Sequence, residues 1–171
     1  ELISENKPNY PDHVIAPYNN IDFLHTLIHK EKFYELCEKH GVDYPTTYIF
    51  RKEMPMDSIP PFPPPYILKP SNGVEYWQNP FPGQNKAFKA DSVAEMHQIL
   101  RDVYVAGYSD TMIIQDFIPG DDTFMRVLTN YSDQKGKVRM MCLGHVLLEE
   151  HTPHGIGNHA VEVEHACAVG A

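Results

Sequence analysis

The sequence predicts an α+β protein, and three kinds of segment carry that prediction. Residues 21–40 and 92–107 place apolar side chains at three- and four-residue intervals, the spacing of one helix face. Short β-branched or apolar runs at 45–50, 66–69 and 112–116 are bounded by Pro or Gly, which punctuate strands. Two longer runs, 124–131 and 137–150, are joined by Ser-Asp-Gln-Lys-Gly, a hairpin pattern.

In chain order, residues 1–20 hold two prolines in the first eleven positions and little periodicity, so they are expected to be a connector with a short strand near Val14 and Ile15. Ile21, Leu24, Leu27, Ile28, Phe33, Leu36 and Cys37 then form a helical stripe between Asp22 and Gly41, expected as two short helices broken near His29. "PTTYIF" at 45–50 is a strand signal after a proline. "PPFPPP" at 60–65 excludes helix and central strand and is expected as a rigid extended linker; a proline-recognition ligand is the alternative. "YILK" follows as a strand, "SNGVEYWQNPFPGQN" as a loop, and "KAFKA" as a returning antiparallel strand. Ser92 stands three residues before Glu95 as a capping box, and Val93, Met96, Ile99, Leu100 and Val103 share a face before Gly107. The final segment is expected to pass from a loop into a strand bearing Val161 and Val163.

The bulk properties narrow the classes. At 171 residues the chain is long enough for one domain or two small subdomains with a real core. Its 42% hydrophobic content is ordinary, and no apolar run reaches the roughly 20 residues of a membrane span. A formal charge of -9 argues against a general nucleic-acid binder, so a phosphate site has to be local. Cys37, Cys142 and Cys167 are odd in number and widely spaced, which with no signal peptide suits a reduced, cytoplasmic protein. The start at Glu1 and the end at "HACAVGA" suggest a segment of something longer.

The run "MIIQDFIPGDD" sends a strand that is apolar on both faces into a Pro-Gly turn rich in carboxylates, which is either a solvated corner or the rim of a pocket. Lys69 ends an earlier strand just before a Gly-containing loop. A strand-end lysine reaches phosphate oxygens as a point charge while loop amides close over them, so an anion cradle is one reading and a solvated lysine beside a turn is the other. "KPSNG" by itself is neither a Walker nor a dinucleotide fingerprint.

Taken in order, "HKEKFYELCEKHGVDYPTT", "PYILKPSNG" and "IIQDFIPGDD" resemble the ATP-grasp superfamily. The resemblance implies a partial ATP-grasp fold: an entry segment at 1–44, a small α+β lid subdomain with its phosphate loop at 45–116, and the start of the antiparallel core sheet at 117–171. It implies ATP as the nucleotide, with Lys30 and Lys69 on its phosphates. Gln115, Asp116, Phe117 and Ile118 would form the adenine hinge, and Asp122 would accept from the ribose hydroxyls. "KPSNGVEYW", "MRVL", "VRMMCLGHVLLEE" and "TPHGIGN" extend the likeness to the D-aspartate ligases of lactic acid bacteria and enterococci and to related carboxylate-amine ligases. That likeness implies activation of a carboxylate as an acyl phosphate and attack by an amine. The implied partners are D-aspartate and the lysine of a peptidoglycan precursor, with no nucleic acid.

Two departures stand out. His29 replaces the Asp that commonly precedes the first lysine, and no Glu-x-Asn pair for Mg2+ follows the hinge; Glu149, Glu150, Glu162 and Glu164 do not match by motif. Without such ligands phosphoryl transfer loses its main charge neutraliser, so the segment alone is expected to bind ATP without turning it over. A non-catalytic nucleotide-binding or regulatory module is the alternative. Among weaker candidates, Arg126 faces either phosphates or solvent, and Arg139 and His145 line either a cleft floor or a solvated strand. His151, His154 and His159 fit no zinc template. Tyr76 and Trp77 either clamp a substrate or pack the loop, Met140 and Met141 are expected in the core, and Cys37 is expected to be inert.

Overall fold

A computed structural model describes residues 1–121, 124–149 and 157–166, with only the backbone for 146–149 and 157–166. The chain forms two compact units, Glu1–Phe117 and Ile118–Ala171. No described helix is long and apolar enough to cross a membrane.

The first unit is built on a four-stranded antiparallel sheet: β1 Thr47–Phe50, β2 Tyr66–Pro70, β3 Phe88–Ala90 and β4 Met112–Asp116, in the order β1-β4-β2-β3. Its helices are α1 Leu2–Asn6, α2 Ile21–Ile28, α3 Lys30–His40, α4 Gly73–Gln78 and α5 Val93–Val105. Successive strand side chains point to opposite faces, and β2 shows it cleanly: Tyr66, Leu68 and Pro70 are buried while Ile67 and Lys69 are not. The register sets Tyr66, Leu68 and Pro70 opposite Asp116, Ile114 and Met112. On that side, Phe50, Leu68, Met112 and Ile114 meet Met96, Leu100, Val103 and Tyr104 of α5 in one core. The expected stripe on α5 is therefore its buried face.

Local chemistry sets the ends of these elements. Ser92 Oγ accepts from the Glu95 amide at 3.2 Å, and Glu95 Oε2 accepts from the Asp91 amide at 2.8 Å, so the return arm of the box lands one residue before the cap. The stripe at 21–40 breaks at His29, whose ψ of 111° turns the chain between α2 and α3. Helix α3 closes on Gly41 at φ 64°, where a side chain is unfavourable. Strand β4 stops before Pro119 and Gly120, as the punctuation predicts. The linker at 60–65 carries no helix or strand.

Two expectations fail in this unit. Residues 1–9 are not a plain connector: α1 is followed by a 3-10 turn, Lys7–Asn9, and residues 14 and 15 form no strand. Helix α4 occupies the start of the expected loop because Asn72 Oδ1 accepts from the Glu75 amide at 3.1 Å and Tyr76 is drawn into the core. The loop proper runs from 79 to 87.

The second unit is a three-stranded antiparallel sheet, β5 Arg126–Ser132, β6 Val138–Glu149 and β7 Gly157–Ala166, with β6 in the middle. The hairpin between β5 and β6 is closed by Asp133, whose carboxylate accepts from the Lys135 and Lys137 amides at 2.9 and 3.0 Å. Met140 and Met141, expected in the core, are exposed, as are Val127 and Leu128.

Leu100 is fully buried between α5 and the sheet, so Leu100→Ala is expected to cost roughly 2–5 kcal/mol, read as a lowered urea midpoint with an unchanged slope. A loss below about 1 kcal/mol would mean that α5 is not the core's main cover.

Candidate functional site

Strand alternation assigns a set of side chains to the face of the first sheet opposite the α5 core. On β2 they are Ile67 and Lys69; the register then adds Ile113 and Gln115 from β4 and Lys89 from β3. Helix α3 lies on this side. Its Tyr34 hydroxyl accepts from Gln115 Nε2 at 2.9 Å, and the second amide proton of Gln115 goes to Thr47 Oγ1 of β1 at 2.8 Å. Gln115 is 3% exposed, and both of its side-chain protons are thus satisfied by the protein.

The break at His29 makes Lys30 the first residue of α3 and aims its side chain back at β2. Lys30 Nζ donates to the Pro70 carbonyl at 2.8 Å and to the Ser71 carbonyl at 3.3 Å, immediately beyond Lys69. Residues 39 positions apart in sequence are thereby brought to one strand end. The electrostatics report the same proximity. Burial pushes the Lys69 ammonium below its usual range, and the charge of Lys30 pushes it further. Burial also lowers Lys30, helped by Lys86 and opposed by Asp110. Among the described residues neither Lys69 nor Lys86 has an ion-pair partner, whereas Lys89 is held by Asp91 at 2.6 Å and Arg51 by Glu31 at 2.9 Å. Like charges gathered in partial burial are unfavourable until an anion joins them.

Beyond β4 the chain presents a different chemistry. The Asp116 amide donates to the Thr46 carbonyl at 3.1 Å and the Phe117 amide to the Pro65 carbonyl at 3.2 Å, so neither is available to a base edge. Asp116 Oδ1 is buried and has no hydrogen-bond partner among the described residues. The Phe117 ring lies 5.3 Å from Lys89 Nζ, within cation–π range. Ile118 begins the second unit and is exposed, and Asp122 lies outside the described residues. The first unit therefore brings Lys30 and Lys69 together at the Pro70 end of β2, with Gln115 further along Lys69's face, whereas Asp116 and Phe117 lie at the Tyr66 end, Asp116 in register with the core-facing Tyr66. Lys86, Lys89, Tyr34 and Thr47 were not singled out from sequence. For Lys89 the alternation in "KAFKA" was a usable signal; for Tyr34 nothing local distinguished it from the rest of a helical stripe.

The remaining candidates resolve differently. Arg139 pairs with Asp133 at 2.7 Å, and this bond holds the Asp133 carboxyl below its usual range, so the arginine serves its own hairpin. Arg126 donates to the Met125 carbonyl at 2.9 Å, and His145 stands opposite it on β6. Tyr76 is buried and Trp77 is exposed, which excludes Tyr76 as a clamp. Cys37 is buried in α3. His151 and His154 lie outside the described residues, and His159 is described by backbone alone. Among the described residues no three His, Cys, Asp or Glu side chains cluster as a metal site.

No family model matches the chain. Over 165 residues, 94% of its length, it is 47% identical to a D-aspartate ligase of Enterococcus faecium (strain Aus0004). The chain spans 39% of that curated relative. It also superposes on the crystal structure of an L-amino acid ligase from Bacillus licheniformis with a TM-score of 0.56, over 93% of this chain and 35% of that one. At 14% identity this second likeness concerns fold.

Lys69→Met keeps the side-chain length and removes the charge, so the melting temperature at pH 7 is expected to equal or exceed that of the wild type. The sign in pH follows from the lowered pKa. The lysine's destabilising effect is complete while it is charged in the folded chain, and it fades as pH rises from the lowered folded value toward 10.5. The advantage of the methionine variant should shrink over that window, and a clear loss of stability at pH 7 would give Lys69 a structural role instead.

Proposed function

We propose that this chain, which carries a partial ATP-grasp fold, is the nucleotide-seating part of an ATP-dependent carboxylate-amine ligase. The observation that carries the reading is the convergence of Lys30 and Lys69 at the end of β2, half-buried and with no carboxylate ion-paired to either among the described residues. Such a pair suits the phosphates of ATP, where each charge-assisted bond contributes roughly 1.5–3 kcal/mol. The assignment of residues 115–118 to adenine and of Asp122 to the ribose hydroxyls is supported by the sequence resemblance alone, since the Asp116 and Phe117 amides are already donated within the first unit. Gln115, buried and fixed by Tyr34 and Thr47, ties α3 and β1 to β4 and so holds the strand that leads into this hinge. In this reading 45–116 serve as the lid subdomain and 117–171 begin the core sheet.

The reaction is transfer of the terminal phosphoryl group of ATP to a carboxylate, giving an acyl phosphate and ADP. An amine then attacks the acyl carbon and releases phosphate, leaving an amide. Lys30 and Lys69 orient the phosphates and offset their charge throughout. Mg2+, when bound, would neutralise further phosphate charge, and the part proposed for Lys30 and Lys69 is to seat the nucleotide. D-aspartate as the acid and a peptidoglycan-precursor lysine as the amine are supported by the name of the 47%-identical relative and by the sequence resemblance. A cytoplasmic location suits both ATP and a soluble precursor.

Titration calorimetry with ATP tests the reading. Lys30→Ala and Lys69→Ala are each expected to weaken affinity about ten-fold or more, the equivalent of at least ~1.4 kcal/mol. Wild-type affinity in both variants would remove the phosphates from this strand end.

A further inference from the structure

The ammonium of Lys30 is aimed by two backbone carbonyls, and those carbonyls are aimed in turn from behind. A trans peptide is flat, with its carbonyl and its amide pointing to opposite sides, so a bond made on one side fixes the other. The Pro70–Ser71 and Ser71–Asn72 peptides are both trans. The first gives its carbonyl to Lys30 Nζ at 2.8 Å and its amide to the Thr111 carbonyl at 3.0 Å. The second gives its carbonyl to Lys30 Nζ at 3.3 Å and its amide to the Tyr108 hydroxyl at 3.1 Å. That hydroxyl donates its own proton to the Thr111 carbonyl at 3.0 Å, so one oxygen braces both planes, directly at Asn72 and through Thr111 at Ser71. The core sets the place of that oxygen. Tyr108 is 1% exposed, with its ring centre 5.8 Å from that of Tyr76, edge to face, and 6.2 Å from that of Tyr104.

We propose that Tyr108 is a positioning residue for the phosphate seat: its hydroxyl, acting through the Ser71–Asn72 peptide, holds Lys30 in its binding direction. The proposal rests on the nucleotide reading above and deepens it. Tyr108 braces the peptides on the side away from Lys30, so it acts through the backbone and not on the ligand. Without the hydroxyl, Lys30 keeps its charge, and the Asn72 amide loses its acceptor in a partly buried place. The Ser71–Asn72 plane is then free to turn, and the Ser71 carbonyl leaves the ammonium. A long side chain regains rotamers that a phosphate must freeze again. The loss therefore falls on orientation and leaves the charge alone. The neighbouring latch does not replace this contact. Glu75 accepts from the Ser109 amide at 2.8 Å and from its hydroxyl at 2.7 Å, which joins α4 to the chain beyond Tyr108 but grips neither peptide that faces Lys30.

The test uses the whole chain as wild type, Tyr108→Phe, Lys30→Ala, their combination, and Tyr76→Phe, which gives up an equally buried tyrosine's hydroxyl that faces the loop before β3. Melting curves establish that each is folded. Without nucleotide, the lysines are acetylated by a limiting amine reagent and read by mass spectrometry, with Lys89 as the internal reference. Lys30 should react faster relative to Lys89 in Tyr108→Phe and at the wild-type ratio in Tyr76→Phe. In calorimetry with ATP, Tyr108→Phe should weaken binding about three-fold or more and Tyr76→Phe should stay within about two-fold. Added to Lys30→Ala, Tyr108→Phe should cause no further loss, since the two act as one unit. If Lys30 labelling rises selectively but wild type binds no ATP, or Lys30→Ala binds it as wild type does, Tyr108 positions Lys30 and the nucleotide reading falls. An unchanged labelling ratio, an equal effect of Tyr76→Phe, wild-type ATP affinity in Tyr108→Phe while Lys30→Ala is weakened, or a full further loss in the double variant would each overturn the assignment of Tyr108.

Discussion

The bond from Lys30 Nζ to the Pro70 carbonyl is the constraint on which the site depends. It joins the first residue of a helix to the last residue of a strand, and it holds an ammonium group in place with neutral acceptors. A carboxylate in that position would make a stronger bond and would also cancel the charge. Carbonyl oxygens fix the direction of the cation and leave its charge nearly whole. The position of Lys69 follows from the same strand by alternation, since burying Leu68 and Pro70 against α5 turns Lys69 to the opposite face. The core and the site are therefore two faces of one set of strands, and the packing of Leu68 and Ile114 is what orients the lysine.

Much of this was legible because it is written in local or periodic signals. The two halves of the 21–40 stripe, the cap at Ser92 and the stop at Pro119 and Gly120 each depend on a few adjacent residues, and all appear where those residues put them. Lys30 and Lys69 were named from motif order, and the structure brings them together through a contact 40 residues long that no local pattern encodes. The fastening of Gln115 by Tyr34 and Thr47 was not legible for the same reason: its partners are 81 and 68 residues away.

What the sequence concealed has a common cause. Asn, Gly and Pro in residues 71–85 indicate loop by composition, yet one well-placed Asn72 supplies a helix cap and one aromatic, Tyr76, supplies a reason to fold inward. Composition averages over a segment, whereas a single cap or anchor decides it. Residues 1–9 fail similarly, because a five-residue helix is too short to show a period. In the second sheet the alternation was read correctly as strand, but Met140 and Met141 were assigned to a core that the described residues do not form around them. Periodicity establishes which side chains share a face; it does not establish what covers that face.

The hydroxyl groups of buried tyrosines fasten the segments that follow β2 and precede β4 without adding charge. Tyr108 accepts from the Asn72 amide at 3.1 Å and donates to the Thr111 carbonyl at 3.0 Å, locking the segment after β2 to the one before β4. Tyr76 donates to the Asn85 carbonyl at 2.7 Å and so anchors the loop before β3. Burial pushes both phenols up to about 12, so they remain protonated and neutral at any physiological pH. An ionised aspartate or glutamate in these positions could not donate to the Asn85 and Thr111 carbonyls and would carry the desolvation cost of a buried charge. Tyrosine adds ring area to the core and leaves the positive charge uncancelled. Carboxylates also hold backbone here, Glu75 accepting from the Ser109 amide at 2.8 Å and Asp110 Oδ1 from the Thr111 amide at 2.7 Å, so what distinguishes Lys30 is that its own acceptors are neutral carbonyls.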